Sequence, residues 1–258
     1  MRRSFIFLPG RASDRARADE GGVMIKKYRF TGEDVIADIR EKYDYDGDLA
    51  EIYATTQDYV VHKWHHYIPL YDRYFGKYRG TKVRFLEIGV DKGGSLQMWR
   101  RFLGEDAVLF GVDIKKSCKD FDGVSGQVRI GSQDDPDFLR SVIDEMGGVD
   151  VVLDDGSHQM PHIEASLRAV YPRLEIGGTY MIEDLHAAYW KGFEGGYDAE
   201  ANFFNTVRRI VDDMHERYHH QGLQVPELDG AVSGLHVHDS IVVIEKDAVH
   251  PPTHSKVN

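Results

Sequence analysis

The stretch that decides the fold is VDVVLDDGSHQM, residues 149–160. A short apolar run typical of a buried strand ends directly in Asp154 and Asp155, and His158 follows on a Gly-Ser turn. The segment GGTYMIEDLH, residues 177–186, ends an apolar run in the same way, at Glu183 and Asp184. Two apolar strands that end in paired acids predict a polar site at the carboxyl edge of a sheet.

Helical patterns and short apolar runs alternate along the chain. The other apolar runs are 83–90, 107–114 and 128–132, and the helical patterns between runs are 95–103, 136–146 and 162–174. This alternation predicts an α/β fold, a Rossmann-like doubly wound sheet that is mostly parallel with helices on both faces. A long helical pattern at 202–220 and two strands joined at Asp239-Ser240 predict a C-terminal antiparallel hairpin.

Composition excludes several classes of protein. The net charge of -11 does not supply the clustered Lys and Arg of a dedicated nucleic-acid binder, so we expect a small-molecule or carbohydrate partner. A single cysteine, Cys118, excludes an internal disulfide framework and a Cys-rich zinc site, and is consistent with the cytoplasm. No apolar run approaches the roughly 20 residues of a membrane span.

A glycine-rich turn follows the apolar run 83–90, in the segment FLEIGVDKGGSLQMW, residues 85–99. Glycines there let the backbone approach a ligand, although an ordinary tight turn has the same composition. The loop departs from the dinucleotide pattern G-x-G-x-x-G and begins with Glu87, which would repel a pyrophosphate and attract an ammonium. Asp113 ends the next strand, where an acid accepts ribose hydroxyls or caps a helix.

These motifs, LEIGVDKGG, GVDI and the terminal hairpin, resemble those of class I S-adenosylmethionine-dependent methyltransferases over roughly residues 80–246. The resemblance implies S-adenosyl-L-methionine as the cofactor. The residues that it assigns to cofactor binding are Glu87, Gly89, Gly93, Ser95, Asp113, Ser132, Gln133, Asp154, Lys63 and Tyr67. For Asp154 a helix-capping role is an equal alternative.

The two acidic strand ends predict a metal site. If the fourth and fifth strands are neighbours, about 4.8 Å apart, then Asp155, Glu183 and Asp184 converge. Three converging carboxylates repel one another unless a cation lies among them, and oxygen ligands favour Mg²⁺, or Mn²⁺ or Ca²⁺. The alternative is that these acids only cap helices. His158 follows closely enough to act as a general base for an alcohol.

The motifs DDGSH and IEDLH...YW resemble most closely the metal-dependent sugar O-methyltransferases of natural-product pathways, of the mycinamicin and rhamnosyl types. This resemblance implies metal ligands at Asp155, Glu183 and Asp184, and His158 as the base. The implied reaction is methyl transfer to a sugar hydroxyl of a glycoside or oligosaccharide, with the cation chelating vicinal hydroxyls. The family's D-K-x-x-H-x-Y run is altered here to VHKWHHY, residues 61–67, so the roles of Lys63, His65 and Tyr67 stay open.

The sequence, together with this resemblance, predicts a domain organisation. We expect a mobile tail at 1–23, a helical segment at 24–80, a methyltransferase catalytic domain at 81–250 and a tail at 251–258, with Met24 as an alternative translation start. A lid at 187–205 would stack aromatic side chains on the sugar, or would be a surface loop packed by those same side chains. The lid residues are Tyr189, Trp190, Phe193 and Tyr197.

Three other functions remain open at this point. Vicinal phenolic hydroxyls would chelate the same ion, so a catechol or phenol methyltransferase is one alternative, and an enzyme of the cephalosporin hydroxylase type is another. A cofactor-binding protein without catalysis is the third. The apolar surface of the N-terminal helices and of the lid favours a homodimer or larger assembly.

We predict that the protein binds S-adenosylmethionine and not a nicotinamide cofactor. Asp113→Ala should weaken binding of the methyl donor by about 1.5–3 kcal/mol, the range for lost hydrogen bonds to a charged group. Titration calorimetry with both ligands measures this. Tight binding of NADH with no response to the methyl donor would exclude the assignment.

Overall fold

The computed structural model describes residues 26–257, so the tail predicted at 1–23 and Met24 lie outside the described residues. Within that part, seven strands form one sheet in the order β3-β2-β1-β4-β5-β7-β6. The strands are β1 Arg84–Ile88, β2 Val108–Asp113, β3 Gln127–Ile130, β4 Val149–Asp154, β5 Leu174–Ile182, β6 Val232–His238 and β7 Ile241–Lys246. The first five are parallel, and β7 pairs antiparallel with both β5 and β6. The predicted Rossmann-like sheet with a C-terminal hairpin is confirmed.

The helices surround this sheet. They are α1 Val35–Tyr43, α2 Leu49–Ala54, α3 Tyr67–Phe75, α4 Gly94–Leu103, α5 Pro136–Met146, α6 Met160–Val170, α7 Phe203–Met214 and α8 Glu216–His219. Helix α2 was not predicted, because its six residues are too short for an apolar period to be visible. The prediction of one continuous helix at 202–220 is wrong, because the helix is interrupted at His215. The backbone of His215 is not helical, and its Nδ1 hydrogen-bonds to the Val211 carbonyl.

Alternate residues of the central strands pack into two separate hydrophobic cores. Leu86 and Val152 face the core that is covered by α5, α6 and α7. Phe85, Val151 and Leu153 face the core that is covered by α1, α2, α3 and α4. This period of two explains why the strands are apolar along their whole length, since both faces are buried.

The sheet register brings the two acidic strand ends together. In the pairing, Asp154 of β4 lies between Ile88 of β1 and Ile182 of β5. The hydrogen bonding continues one residue further, because the Asp155 amide donates to the Ile88 carbonyl at 2.8 Å and the Glu183 amide donates to the Asp154 carbonyl at 3.0 Å. The two acidic segments therefore leave the sheet side by side.

The turn of the β6–β7 hairpin holds the chain just after β5. Ser240 lies in the left-handed region, with φ of +65°. Its carbonyl accepts the Leu185 amide at 2.9 Å, and its hydroxyl accepts the His186 amide at 3.0 Å. The C-terminal hairpin thus fixes the backbone next to Glu183 and Asp184. No helix among the described residues is long and apolar enough to cross a membrane.

The glycine loop packs directly against the end of β4. Gly89 has φ of +99°, and a Cβ at this position would lie 2.0 Å from the carbonyl oxygen of Asp155. Only glycine satisfies both the backbone conformation and the contact. The loop and Asp155 are therefore positioned by one another.

We predict that Gly89→Ala destabilises the protein by at least about 3 kcal/mol, because a left-handed alanine costs about 1–2 kcal/mol and the contact with Asp155 adds to it. Gly123→Ala is the matched control, since Gly123 also has positive φ, +80°, but a Cβ there meets nothing within 4 Å. Urea unfolding measures both. Equal destabilisation by the two substitutions would contradict the close approach.

Candidate active site

Asp155, His158 and Asp184 form a compact group beyond the ends of β4 and β5. Each offers one ligand atom, and these atoms all lie within 4.8 Å of one another. His158 Nε2 is 3.6 Å from Asp155 Oδ1 and 3.7 Å from Asp184 Oδ2. His158 and Asp184 both have left-handed backbones, with φ of +56° and +58°. Residues other than glycine seldom adopt such backbone conformations. Here they direct the side chains of His158 and Asp184 toward the same point.

Glu183 contacts the N-terminal segment through both of its carboxylate oxygens. Its Oε1 accepts a hydrogen bond from Lys63 Nζ at 2.7 Å, and its Oε2 accepts one from the hydroxyl of Tyr71. Lys63 also donates to Asp155 Oδ2 at 2.5 Å. Both oxygens of Glu183 therefore have partners within the protein, and its assignment as a metal ligand stays a prediction.

The N-terminal helical segment supplies the donors to these acids. Tyr67 and Tyr71 lie one turn apart on α3, and Lys63 lies four residues before Tyr67 in the irregular segment that leads into this helix. The hydroxyl of Tyr67 donates to Asp184 Oδ1 at 2.8 Å. Lys63 and Tyr67, which were predicted to contact the cofactor, thus reach the acids, while His65 bonds to Asp38 at 2.6 Å.

Charge in this cluster is only partly balanced. Burial lowers the pKa of Lys63, but the ion pairs with Asp155 and Glu183 outweigh burial and hold that pKa well above its usual value. Burial and the neighbouring Glu183 raise the pKa of Asp155 well above its ordinary value. If all three carboxylates are ionised, as they would be beside a bound cation, the one ammonium leaves two negative charges, which a single divalent cation would neutralise. The residues present therefore fit a hard cation held by Asp155 and Asp184.

Glu87 lies near the end of β1, just before the glycine loop, and its charge acts on Lys63. It is fully buried and accepts hydrogen bonds from Ser95 Oγ at 2.7 Å and Trp99 Nε1 at 3.1 Å. Burial raises the pKa of Glu87 to about 7, although the charge of Lys63 acts in the opposite direction. Both Ser95 and Glu87 were predicted to bind cofactor, and in the structure they bind each other.

Asp113 holds the glycine loop from the neighbouring strand. Its Oδ2 accepts the amides of Val90 and Asp91 at 3.0 and 2.9 Å, and its Oδ1 accepts the Lys115 amide at 2.8 Å. Burial acts to raise the pKa of Asp113, but these backbone donors lower it below the usual range. A charged carboxylate is thus fixed at the end of β2 beside the loop.

Asp154 and Gln133 lie behind the site in a buried polar network. Gln133 Nε2 donates to Asp154 at 3.1 Å, and Gln133 Oε1 accepts the Ser157 amide at 2.6 Å. Ser166 and Tyr180 also donate to Asp154. This network fixes the turn that carries His158. The hydroxyl of Ser132 bonds to Asp134, so both residues predicted to contact adenine have protein partners.

The segment before Lys63 covers the glycine loop. A Cβ on Gly94 would lie 2.4 Å from the backbone carbonyl of Val60, and Gln97 Nε2 donates to Asp58 at 2.6 Å. Gly93 has φ of +78° at the start of α4. The loop is therefore enclosed between β4 and the N-terminal segment, a contact that the sequence did not predict.

The predicted lid residues divide into two groups. Phe193 lies 6.4 Å from the ring of His158, and Trp190 lies 5.9 Å from the ring of Phe193. Tyr189 is half exposed and Tyr197 is 84% exposed, so Tyr197 contacts solvent. His186 was not predicted: its ring packs 4.8 Å from Trp190, and its Nδ1 lies 2.5 Å from Ser240 Oγ. The only signal for His186 was its place two residues after Asp184.

Comparison with known proteins identifies the domain. Residues 86–185 match the family profile described as a methyltransferase domain. The chain carries a methyltransferase domain. The methyltransferase fold is also that of the mycinamycin-pathway methyltransferase MycE solved with Mg and SAH, with a TM-score of 0.69 and 31% identity over 79% of this chain and 55% of that one.

Curated relatives of the methyltransferase domain are named as O-methyltransferases, and some of these names specify a rhamnosyl substrate. The domain is similar to demethylmacrocin O-methyltransferase of Streptomyces fradiae, with 37% identity over 77% of this chain and 53% of the relative. It is also similar to 8-demethyl-8-alpha-L-rhamnosyl tetracenomycin-C 2'-O-methyltransferase of Streptomyces olivaceus, with 34% identity over 72% of this chain and 52% of the relative. The resemblance to sugar O-methyltransferases is confirmed. The chain spans about half the length of these relatives.

We predict that Lys63→Met lowers the free energy of unfolding by about 3–5 kcal/mol, because removal of one partner leaves buried carboxylates uncompensated. Arg40→Met is the control: Arg40 pairs with Glu51 at the surface, where such a pair is worth at most about 1 kcal/mol. Denaturant unfolding without added divalent cations measures both. If the two substitutions have equal effects, Lys63 is not the counter-ion of the acidic cluster.

Proposed function

We propose that the chain is an S-adenosylmethionine-dependent O-methyltransferase that transfers a methyl group to a sugar hydroxyl of a glycoside or oligosaccharide. The observation that carries this proposal is the group of Asp155, His158 and Asp184, placed beside a glycine loop in a methyltransferase domain. A structural relative of this domain was solved with Mg, SAH and mycinamycin VI, at a TM-score of 0.70 and 28% identity. The name of that complex supports the same donor, ion and acceptor class here.

His158 is the proposed general base. An alcohol is a poor nucleophile until its proton leaves, and an imidazole is the usual acceptor near neutral pH. With Nε2 facing both Asp155 and Asp184, an acceptor hydroxyl bound at these carboxylates lies within reach of His158. The same carboxylates stabilise the imidazolium that forms when the proton arrives.

The aspartates are proposed to hold a divalent cation, Mg²⁺ in the first instance. When bound, the cation supplies acidity and orientation to the acceptor hydroxyls. Lys63 holds Asp155 from the opposite side, and Tyr67 holds Asp184, so both carboxylates are oriented before any ligand arrives. Glu183 as a third ligand remains part of the proposal, and it requires release from Lys63 or Tyr71.

The methyl donor is proposed to bind along the glycine loop, where S-adenosylmethionine supplies the electrophilic methyl group. Asp113 lies where a ribose is bound in open α/β folds, and its lowered pKa keeps it a charged acceptor. Glu87 orders the loop through Ser95 and Trp99. Assembly into a homodimer or larger oligomer and a cytoplasmic location stay predictions.

We predict that turnover requires a divalent cation and His158. Excess EDTA, or Asp155→Asn, should abolish methyl transfer and leave donor affinity nearly unchanged. His158→Asn should retain the left-handed backbone, because Asn tolerates it, and should lower kcat by about 10²–10⁴-fold. Assays with a labelled methyl donor and a panel of sugars that carry vicinal hydroxyls measure these effects.

The matched control is His220→Asn, because His220 is exposed and also has a left-handed backbone, with φ of +57°. This variant should retain kcat. Full activity in excess EDTA would exclude the cation. A His158→Asn enzyme with unchanged kcat would exclude the base independently.

A further inference from the structure

The turn that joins β6 to β7 has a serine at a position that favours glycine. The turn consists of Asp239 and Ser240, because His238 and Ile241 on either side of it are paired across the hairpin. Ser240 has φ of +65°, and glycine or asparagine is the usual residue at such a turn position. Strained residues cluster at functional sites, where the surroundings hold them in place. The hydroxyl group, which glycine lacks, is therefore the feature of Ser240 that requires an explanation.

The Ser240 hydroxyl contacts the residue that lies two positions after Asp184. Its oxygen accepts the His186 amide at 3.0 Å and lies 2.5 Å from His186 Nδ1. A hydroxyl has one proton and two lone pairs, so it can take part in both bonds at once. The His186 ring also packs against Trp64 and Trp190, with ring centroids 5.4 and 4.8 Å away. Ser240 therefore holds both the backbone and the ring of His186.

The backbone of Asp184 depends on these contacts. Asp184 has φ of +58°, a conformation that persists only where neighbouring groups fix it. The Tyr67 hydroxyl accepts the Asp184 amide at 3.2 Å and donates to Asp184 Oδ1 at 2.8 Å. The next two amides, of Leu185 and His186, both donate to Ser240, the first to its carbonyl and the second to its hydroxyl. Asp184 is thus held by Tyr67 at its own amide and by Ser240 at the two residues that follow.

The direction of the Asp184 carboxylate matters because a cation needs its oxygen ligands at fixed positions. Asp184 Oδ2 lies 3.7 Å from His158 Nε2, and one ligand atom from each of Asp184, His158 and Asp155 lies within 4.8 Å of the other two. Mg²⁺ demands near-ideal geometry at about 2.0–2.1 Å, so a small rotation at residue 184 moves a ligand atom out of place. Relaxation of the left-handed backbone toward an ordinary conformation is such a rotation.

We propose that Ser240 is a positioning residue for Asp184: its hydroxyl fixes the following chain, so that the Asp184 carboxylate already faces His158 and Asp155 when a divalent cation binds. This inference rests on the proposed function, which places the cation at Asp155 and Asp184. It extends that proposal by giving the C-terminal hairpin a role in cation binding, although Ser240 itself is not a ligand. Such outer contacts orient the ligands of metal sites in general.

The test removes the hydroxyl and keeps the turn. Ser240→Gly retains the carbonyl that accepts the Leu185 amide, and it should stay folded because glycine adopts the left-handed backbone without strain. Electron paramagnetic resonance of Mn²⁺, titrated into the full chain, should give a dissociation constant about tenfold above that of the wild type, the factor that corresponds to one lost hydrogen bond. Donor affinity, measured by titration calorimetry, should be unchanged, because the donor is proposed to bind along the glycine loop.

Two further variants separate positioning from a general effect on the hairpin. Ser233→Gly is the matched control, because the Ser233 hydroxyl donates to the Glu245 carbonyl at 3.2 Å at an exposed place on β6. It should bind Mn²⁺ as the wild type does. Ser240→Asn tolerates the left-handed backbone and keeps a side-chain oxygen for the His186 amide, so its dissociation constant should lie within about threefold of the wild-type value.

The possible results separate the positioning role from the proposed function. Equal Mn²⁺ affinity in the wild type and in Ser240→Gly would overturn the role of Ser240 and leave the cation site in place. An equal loss of affinity in Ser240→Gly and Ser233→Gly, or in Ser240→Gly and Ser240→Asn, would also overturn it, since the effect would then not depend on an oxygen at residue 240. If the wild type binds no Mn²⁺, the cation of the proposed function fails and the positioning role fails with it.

Discussion

The buried ion pairs of Lys63 with Asp155 and Glu183 are the interactions on which the rest of the site depends. Two parallel strands end side by side, so their acids converge whatever the neighbouring sequence is. Without a positive charge among them, the carboxylates would repel one another at a buried position. Lys63 supplies that charge from the N-terminal segment, and the same segment covers the glycine loop. The glycine loop, the acids and the N-terminal segment are therefore held together by the same set of contacts.

The convergence of the acids could be predicted from sequence because it follows from strand order and register. Parallel strands with both faces buried leave a clear apolar signal, and their carboxyl ends share an edge. The place of Asp155 beside Asp184, with His158 close to both, follows from this signal. Gly89 was predicted to allow close approach of a ligand, and the structure adds that it also allows the approach of Asp155.

The partners of the acids could not be predicted in the same way. The spacing of Tyr67 and Tyr71 indicates that they share a helical face, with Lys63 in the irregular segment just before that helix, but Glu183 lies more than a hundred residues away from each. Likewise, Ser240 holds His186 through a turn whose position depends on the whole sheet. The partners of Glu87 are closer to it in sequence, because Ser95 and Trp99 lie on the helix that follows the glycine loop. Both side chains donate hydrogen bonds back to Glu87. Local sequence patterns predict which residues share a face of a helix or strand. Tertiary packing decides which of these faces contact one another.

The central claim is that Asp155 and Asp184, with Lys63 already neutralising one unit of charge, bind a single divalent cation. Electron paramagnetic resonance of Mn²⁺, titrated into the full chain without donor or acceptor, tests this claim most directly. Asp184→Asn is measured in parallel, with Glu41→Gln as the control at an exposed acid of α1. The account predicts one bound Mn²⁺ per chain in the wild type and in Glu41→Gln, and none in Asp184→Asn. Equal binding by all three proteins, or no binding by the wild type, would contradict it.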